Sequence, residues 1–155
     1  MQYPLIESLY ATDDQYMIGS SLLVKPVTAP SVVKTTILFP TADTWFDVDS
    51  LQVVSPSGDG NNVVSIRVSS DIDKIPVYQR GGSIIPRKLR LRRSSRLMTG
   101  DPYTLYIALD KNDTASGKLY MDDEESFAYE RKGEFGAASF TADLKEGFIL
   151  SVIHI

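Results

Sequence analysis

The chain has 155 residues, 43% of them hydrophobic, and a net charge of -4. That is enough apolar material for a packed core, which excludes general disorder, and no overall basic field draws the chain to nucleic acid or anionic lipid. Cysteine is absent, so disulfides and thiolate metal sites are excluded, and the single histidine, His154, one residue from the end of the sequence, argues against a histidine triad or a multi-histidine metal centre within these residues.

Residues 1–20 differ from the rest of the chain. Pro4 can open a helical turn with Ile6, Leu9 and Tyr10 on one face. A second turn is predicted after Thr12, an N-cap ahead of Asp13 and Asp14, with Gly19 as its stop. The opening stretch lacks the cationic start and apolar centre of a signal peptide, and no segment reaches the roughly 20 apolar residues that span a bilayer.

From Ser21 the pattern is one of strands. "SLLVKPV" is apolar and β-branched, "VVKTTILF" runs to Pro40, "TWFDV" follows a turn at Asp43, and "NNVVSIRVSS" alternates after a glycine-rich turn. "IPVYQ" and "SIIPR" flank Gly81-Gly82, and "YTLYIAL", "GKLYMD", "SFAYE", "ASFTADL" and "GFILSVIHI" complete the series. Short strands at this spacing, with nothing long enough for a crossover helix, predict an all-β chain of two consecutive β-sandwiches. The stretch "PRKLRLRRSSRLMTGDP" is poor in strand pattern and places the boundary near Lys88.

Chemistry is sparse. Arg87, Lys88, Arg90, Arg92, Arg93 and Arg96 form a basic run that could bind phosphate, with Arg90, Arg92 and Arg93 its centre. No aromatic residue interleaves those cations to stack bases, and eight carboxylates follow between Asp110 and Glu134, which favours a structural role. Asp122 and Glu124 are close enough along a strand to serve as a carboxylate pair, but a turn offers little burial to separate their pKa values, so a solvated turn is favoured. Trp45 could be a sugar-stacking platform, but a lone tryptophan in an alternating strand more often fills a sandwich core, and the core role is favoured. His154, between two isoleucines, reads as the outward member of a last strand. Asn112-Asp113-Thr114 matches an N-glycosylation acceptor in a hairpin turn.

Several long segments in order carry a resemblance: "DDQYMIGSSLLVKPV", "WFDV", "KIPVYQRGGSIIPRK", "RRSS", "DPYTLYIAL" and "GKLYMDDEESFAY". Together they resemble the C-terminal part of glycoside hydrolase family 31, and within it the alpha-glucosidases of the endoplasmic reticulum. The resemblance implies a catalytic (β/α)8 barrel upstream, followed by proximal and distal β-sandwiches. It makes residues 1–21 a short helical remnant of the barrel, 22–88 the proximal sandwich and 89–155 a truncated distal one. The family's nucleophile and acid/base aspartates belong to barrel segments that no residue here matches, so no catalytic residue, cofactor or metal ligand is assigned.

The implied role is support of the barrel of the same parent chain, with Arg80, Gly81 and Gly82 contacting it, and with a regulatory beta subunit as a further partner of the parent. The implied setting is the lumen of the endoplasmic reticulum; neither nucleic acid nor a membrane span is expected. Separated from the barrel, the chain is expected to self-associate through Ile6, Leu9, Tyr16 and Ile18. An autonomous carbohydrate-binding sandwich using Trp45 is the alternative. Two departures stand out: "QYPL" replaces the family's Arg-Pro-Leu, and Glu124 replaces the glycine of an Asp-Asp-Gly turn, a position where positive φ is expected.

Overall fold

The computed structural model describes residues 2–58 and 62–154, Ile153 and His154 by their backbone alone. The chain is built of strands and divides into two compact units, Met1–Gly81 and Gly82–Ile155.

In the first unit, β1 (Tyr16–Ile18), β2 (Leu22–Val24), β4 (Trp45–Asp47), β5 (Val53–Val54) and β7 (Val77–Arg80) form one antiparallel sheet in the order β1-β2-β7-β4-β5. A two-stranded ribbon of β3 (Lys34–Pro40) and β6 (Val63–Ser69) is the second layer. One core joins the layers: Leu23, Trp45 and Tyr78 from the sheet meet Ile37 and Phe39 from the ribbon. Phe39 packs edge-on against Tyr78 at 4.8 Å and tilts against Trp45 at 6.0 Å, geometries that aromatic rings favour over a face-to-face stack. The two layers make a β-sandwich, and it takes in β1, from the stretch that the resemblance gives to the barrel remnant.

The start of the chain differs from its sequence pattern. The helical turn expected after Pro4 is a single 3-10 turn, Glu7–Leu9, and no helical turn follows Thr12. Instead Tyr16–Ile18 pairs with Leu22–Val24, turning at Gly19 with φ 58°. Strand pairing, together with burial of Met17 against the core, outweighs a local capping signal too short to nucleate a helix.

The second unit holds β8 (Ser83–Arg87), β9 (Thr104–Ala108), β10 (Thr114–Met121), β11 (Gly136–Asp143) and β12 (Phe148–His154) in one mixed sheet, order β12-β11-β10-β8-β9. Its core is a strip on one face: Ile84, Ala115, Ala138, Phe140 and Ala142. Among the described residues the expected distal sandwich is therefore one layer. The units divide ahead of Lys88, where the sequence reading puts the boundary, because Ser83–Arg87 pairs along its length with β9.

"SFAYE" is not a strand. Ala128–Lys132 forms a short helix, α1, closed by Gly133 at φ 71°. The alternating aromatics suggest a strand, yet Glu130 in the first turn, Arg131 and Lys132 in the last and a glycine stop are the charge order of a helix.

Candidate functional site

Trp45 occupies β4, where the alternation of its strand turns it inward. Its side chain is 0% exposed, and its indole Nε1 donates to the Pro40 carbonyl at 3.2 Å. A sugar needs an open ring face, so the expectation of a sugar contact at Trp45 is corrected to a core role.

The glycine pair answers to two local demands. In the first unit, the Gly81 amide donates to the Thr44 carbonyl at 2.7 Å, extending the β4–β7 pairing beyond Arg80. In the second unit Gly82 has φ 83°, donates to the Ala108 carbonyl at 2.8 Å and accepts from the Ser116 amide at 3.1 Å. It thus sits between the end of β9 and the start of β10, where the connecting turn passes over it. A Cβ on Gly82 would meet Asp110 Cβ at 3.4 Å, ordinary contact, so positive φ and not space is what requires glycine.

Arg80 lies near Tyr3, a residue of the "QYPL" stretch. The Tyr3 hydroxyl donates to Asp43 Oδ2 at 2.8 Å. Burial, followed by the Asp43 carboxylate, pushes the phenol well above its ordinary range against the opposing pull of Arg80. Sequence reading missed Tyr3, because its partners lie far along the chain.

The basic run folds onto partners within its own unit. Arg92 binds Asp101 with both prongs, Nε to Oδ2 at 3.0 Å and Nη2 to Oδ1 at 2.7 Å, and Arg90 adds a longer contact at 3.4 Å. The Asp101 side chain is only 4% exposed. The Arg92 hydrogen bonds, against the cost of desolvation, hold its carboxyl below the usual range. Arg87 lies over the Tyr106 ring at 4.6 Å, Lys88 over Tyr103 at 4.8 Å, and Arg96 pairs with Glu125 at 2.9 Å. These contacts leave little of the run as a continuous phosphate-binding strip.

The acidic run is a solvated turn, as its composition suggests. Asp122 accepts from the Glu124 amide, and Asp123 from the Glu125 and Ser126 amides. Glu124 has φ 58°, the backbone state expected of the family's glycine. Asp47, a buried carboxylate of the first unit, is likewise saturated. Its Oδ1 accepts from the Asp49 and Ser50 amides and the Ser50 hydroxyl, and its Oδ2 lies 3.4 Å from Lys74 Nζ. Burial opposes its charge, but the Ser50 and Lys74 interactions outweigh it and lower its pKa. Asp47 and Asp101 belong to different units and each is spent on local donors. Among the described residues no three acidic or histidine side chains are placed to share a metal ion.

A surface cleft of about 470 Å³ in the first unit is lined by Tyr3, Leu9, Gln15, Tyr16, Met17 and Leu23 among others, and among the described residues no carboxylate borders it. Beside it Tyr16 and Ile18 are 51% and 53% exposed on one side of edge strand β1. Ile6, expected on this surface, is buried at 4%, and Leu9 is half-buried. The 3-10 turn draws Ile6 inward, since its amide bonds the Tyr3 carbonyl and its own carbonyl accepts from Leu9. Asn112 is exposed in the turn between β9 and β10. His154 ends β12, and its side chain lies outside the described residues.

The sequence matches the family model "Glycosyl hydrolase family 31 C-terminal domain" over residues 1–85. It is 46% identical to neutral alpha-glucosidase AB of Dictyostelium discoideum over 144 residues, covering 91% of this chain and 14% of that protein. The human protein of the same name is 39% identical over 136 residues, 87% of this chain and 14% of the relative. Among solved structures, a DNJ-bound glucosidase II alpha subunit superposes with a TM-score of 0.80 at 35% identity, over 89% of this chain and 14% of that one. The chain therefore spans only a small part of the length of these relatives.

Proposed function

Because the chain belongs to glycoside hydrolase family 31, we propose that it is a non-catalytic C-terminal part of an alpha-glucosidase and braces that enzyme's catalytic barrel. The parent enzyme removes terminal α-linked glucose with retention, in the trimming of N-glycans within the lumen of the endoplasmic reticulum. The observation that carries the reading is the state of the acids. A retaining glycosidase needs two carboxyl groups about 5–5.5 Å apart across a sugar site. Among the described residues the buried carboxylates, Asp47 and Asp101, are each locked to donors of their own unit, and the cleft beside Tyr16 is lined by none.

Bracing follows from the surface that remains. The exposed Tyr16 and Ile18 on edge strand β1 offer the barrel an apolar edge, and the adjoining cleft, lined by polar and apolar side chains alike, a concave seat. Arg80, Gly81 and Gly82 stand at the passage from one unit to the next, where a short contact with the barrel would fix the chain's course. A solved glucosidase II heterodimer joins a catalytic subunit to the binding domain of a regulatory subunit, and the parent is assigned a regulatory partner on that likeness. Separated from the barrel, the chain self-associates through Tyr16 and Ile18.

A chromogenic α-glucoside tests the reading. The full-length protein turns it over, and purified residues 1–155 do not. Turnover by the isolated chain that co-purifies with it through successive columns would overturn the proposal.

A further inference from the structure

Asn112-Asp113-Thr114 is the single Asn-X-Ser/Thr match in the sequence, and it falls in the turn that carries the chain over Gly82. The turn is organised by Asp110, not by the asparagine. Asp110 Oδ1 accepts from the Asn112 amide at 2.9 Å, the Thr114 amide at 2.9 Å and the Thr114 hydroxyl at 3.2 Å. The Asp110 amide donates to the Thr114 carbonyl, the Asp113 amide to the Asp110 carbonyl, and the Leu144 amide to the Asp113 carbonyl. The backbone therefore holds its shape whatever is attached to the Asn112 side chain, which is exposed beside exposed Lys111.

We propose that Asn112 is an N-glycosylation site; the proposal rests on the lumenal location inferred for the parent. The donor is an oligosaccharide joined through its anomeric carbon to a lipid diphosphate. The Asn112 Nδ2 attacks that carbon and forms the C–N bond. The bond from the anomeric carbon to the diphosphate oxygen breaks, its electron pair leaving with the lipid diphosphate, and Nδ2 gives up one proton. The remaining Nδ2 hydrogen is still available to the Asp110 carboxylate. In the folded turn Asp110 occupies the Thr114 hydroxyl and the amides that a transferase must grip, so transfer precedes folding of this hairpin. The folded structure then has only to leave room for the glycan, which the exposure of Asn112 provides.

The test uses the full-length protein from its own cells. The peptide containing Asn112 is expected to carry N-acetylglucosamine and hexose, and peptide N-glycosidase in heavy-oxygen water should convert that residue to labelled aspartate. The intact protein should gain gel mobility on the same treatment. Asn112→Gln and Thr114→Ala should abolish the modification at this peptide, and Thr114→Ser, which keeps the hydroxyl, should retain it. An unmodified Asn112 in protein protected from protease inside sealed microsomes would overturn the site and leave the lumenal reading standing. Protein digested outside the microsomes would overturn both.

Discussion

Replacing Gly117 by alanine separates two opposed expectations. Gly117 lies within β10, opposite Phe140 of β11, and its face is pressed against Ile84 of β8. A glycine inside a strand ordinarily weakens it, and on that ground alone alanine would gain about 0.5–1 kcal/mol. The structure reverses the sign. A Cβ at this position would overlap the Ile84 carbonyl oxygen, and would stand 2.8 Å from Ile84 Cβ and 3.0 Å from its carbonyl carbon. Those atoms are backbone or attached directly to it, so no rotamer change relieves the overlap and β8 must move. Overpacking of this kind costs about 1–3 kcal/mol, so Gly117→Ala should be destabilising by about that amount. Urea unfolding followed by far-ultraviolet circular dichroism reads the difference. Gly100→Ala is the control: nothing lies within 4 Å of a Cβ there, so its midpoint should not fall. A Gly117→Ala variant as stable as the parent chain would refute the close approach of β8 to β10, and with it the assignment of Ser83–Arg87 to the second sheet.

Glu124→Gly relieves a left-handed residue, φ 58°. Release of about 1–2 kcal/mol of steric strain against the entropy of a new glycine, about 0.5–1 kcal/mol, should leave a small net gain, read as a higher melting temperature; a lower one would contradict it. Burial, then the Asp47 charge, pushes the Tyr78 phenol up to about 12 from its ordinary 10.0. Its contribution to stability is whole below pH 10 and is lost as pH rises toward 12, so Tyr78→Phe should flatten alkaline unfolding over that range. Arg92→Lys keeps the charge but not the fork that grips Asp101. Asp101, whose lowered pKa gives stability that is present above the unfolded carboxylate range and lost as pH falls through the folded value, should then titrate closer to its ordinary range by NMR.

The strands of the first unit were legible because apolar runs and β-branched residues coincide with turn chemistry on either side, as at "VVKTTILF" and "NNVVSIRVSS". The short members were not. Tyr16–Ile18 and Val53–Val54 are too brief to display a period and exist because a neighbour pairs with them. "SFAYE" misled because its alternating aromatics precede the charge order and the glycine that make it helical. At the candidate site, the sequence offered Trp45 two roles, and only packing against Phe39 decides for the core. Neither Gln15, whose amide pairs with both backbone groups of Leu38, nor Tyr3 with Asp43 carries a local signal, since each acts on a residue distant in sequence. Arg92 with Asp101 is nearer to legible: Asp101 closes the basic run, but burial of that one carboxylate is a property of the fold.

Removing residues 22–155 from the full-length protein, which leaves the stretch assigned to the barrel in place, and measuring α-glucosidase activity and its thermal half-life in what remains, addresses the bracing role most directly. The account predicts a barrel that loses solubility or inactivates far faster while its active-site residues are untouched. A truncated enzyme with unchanged kcat, KM and half-life would contradict it.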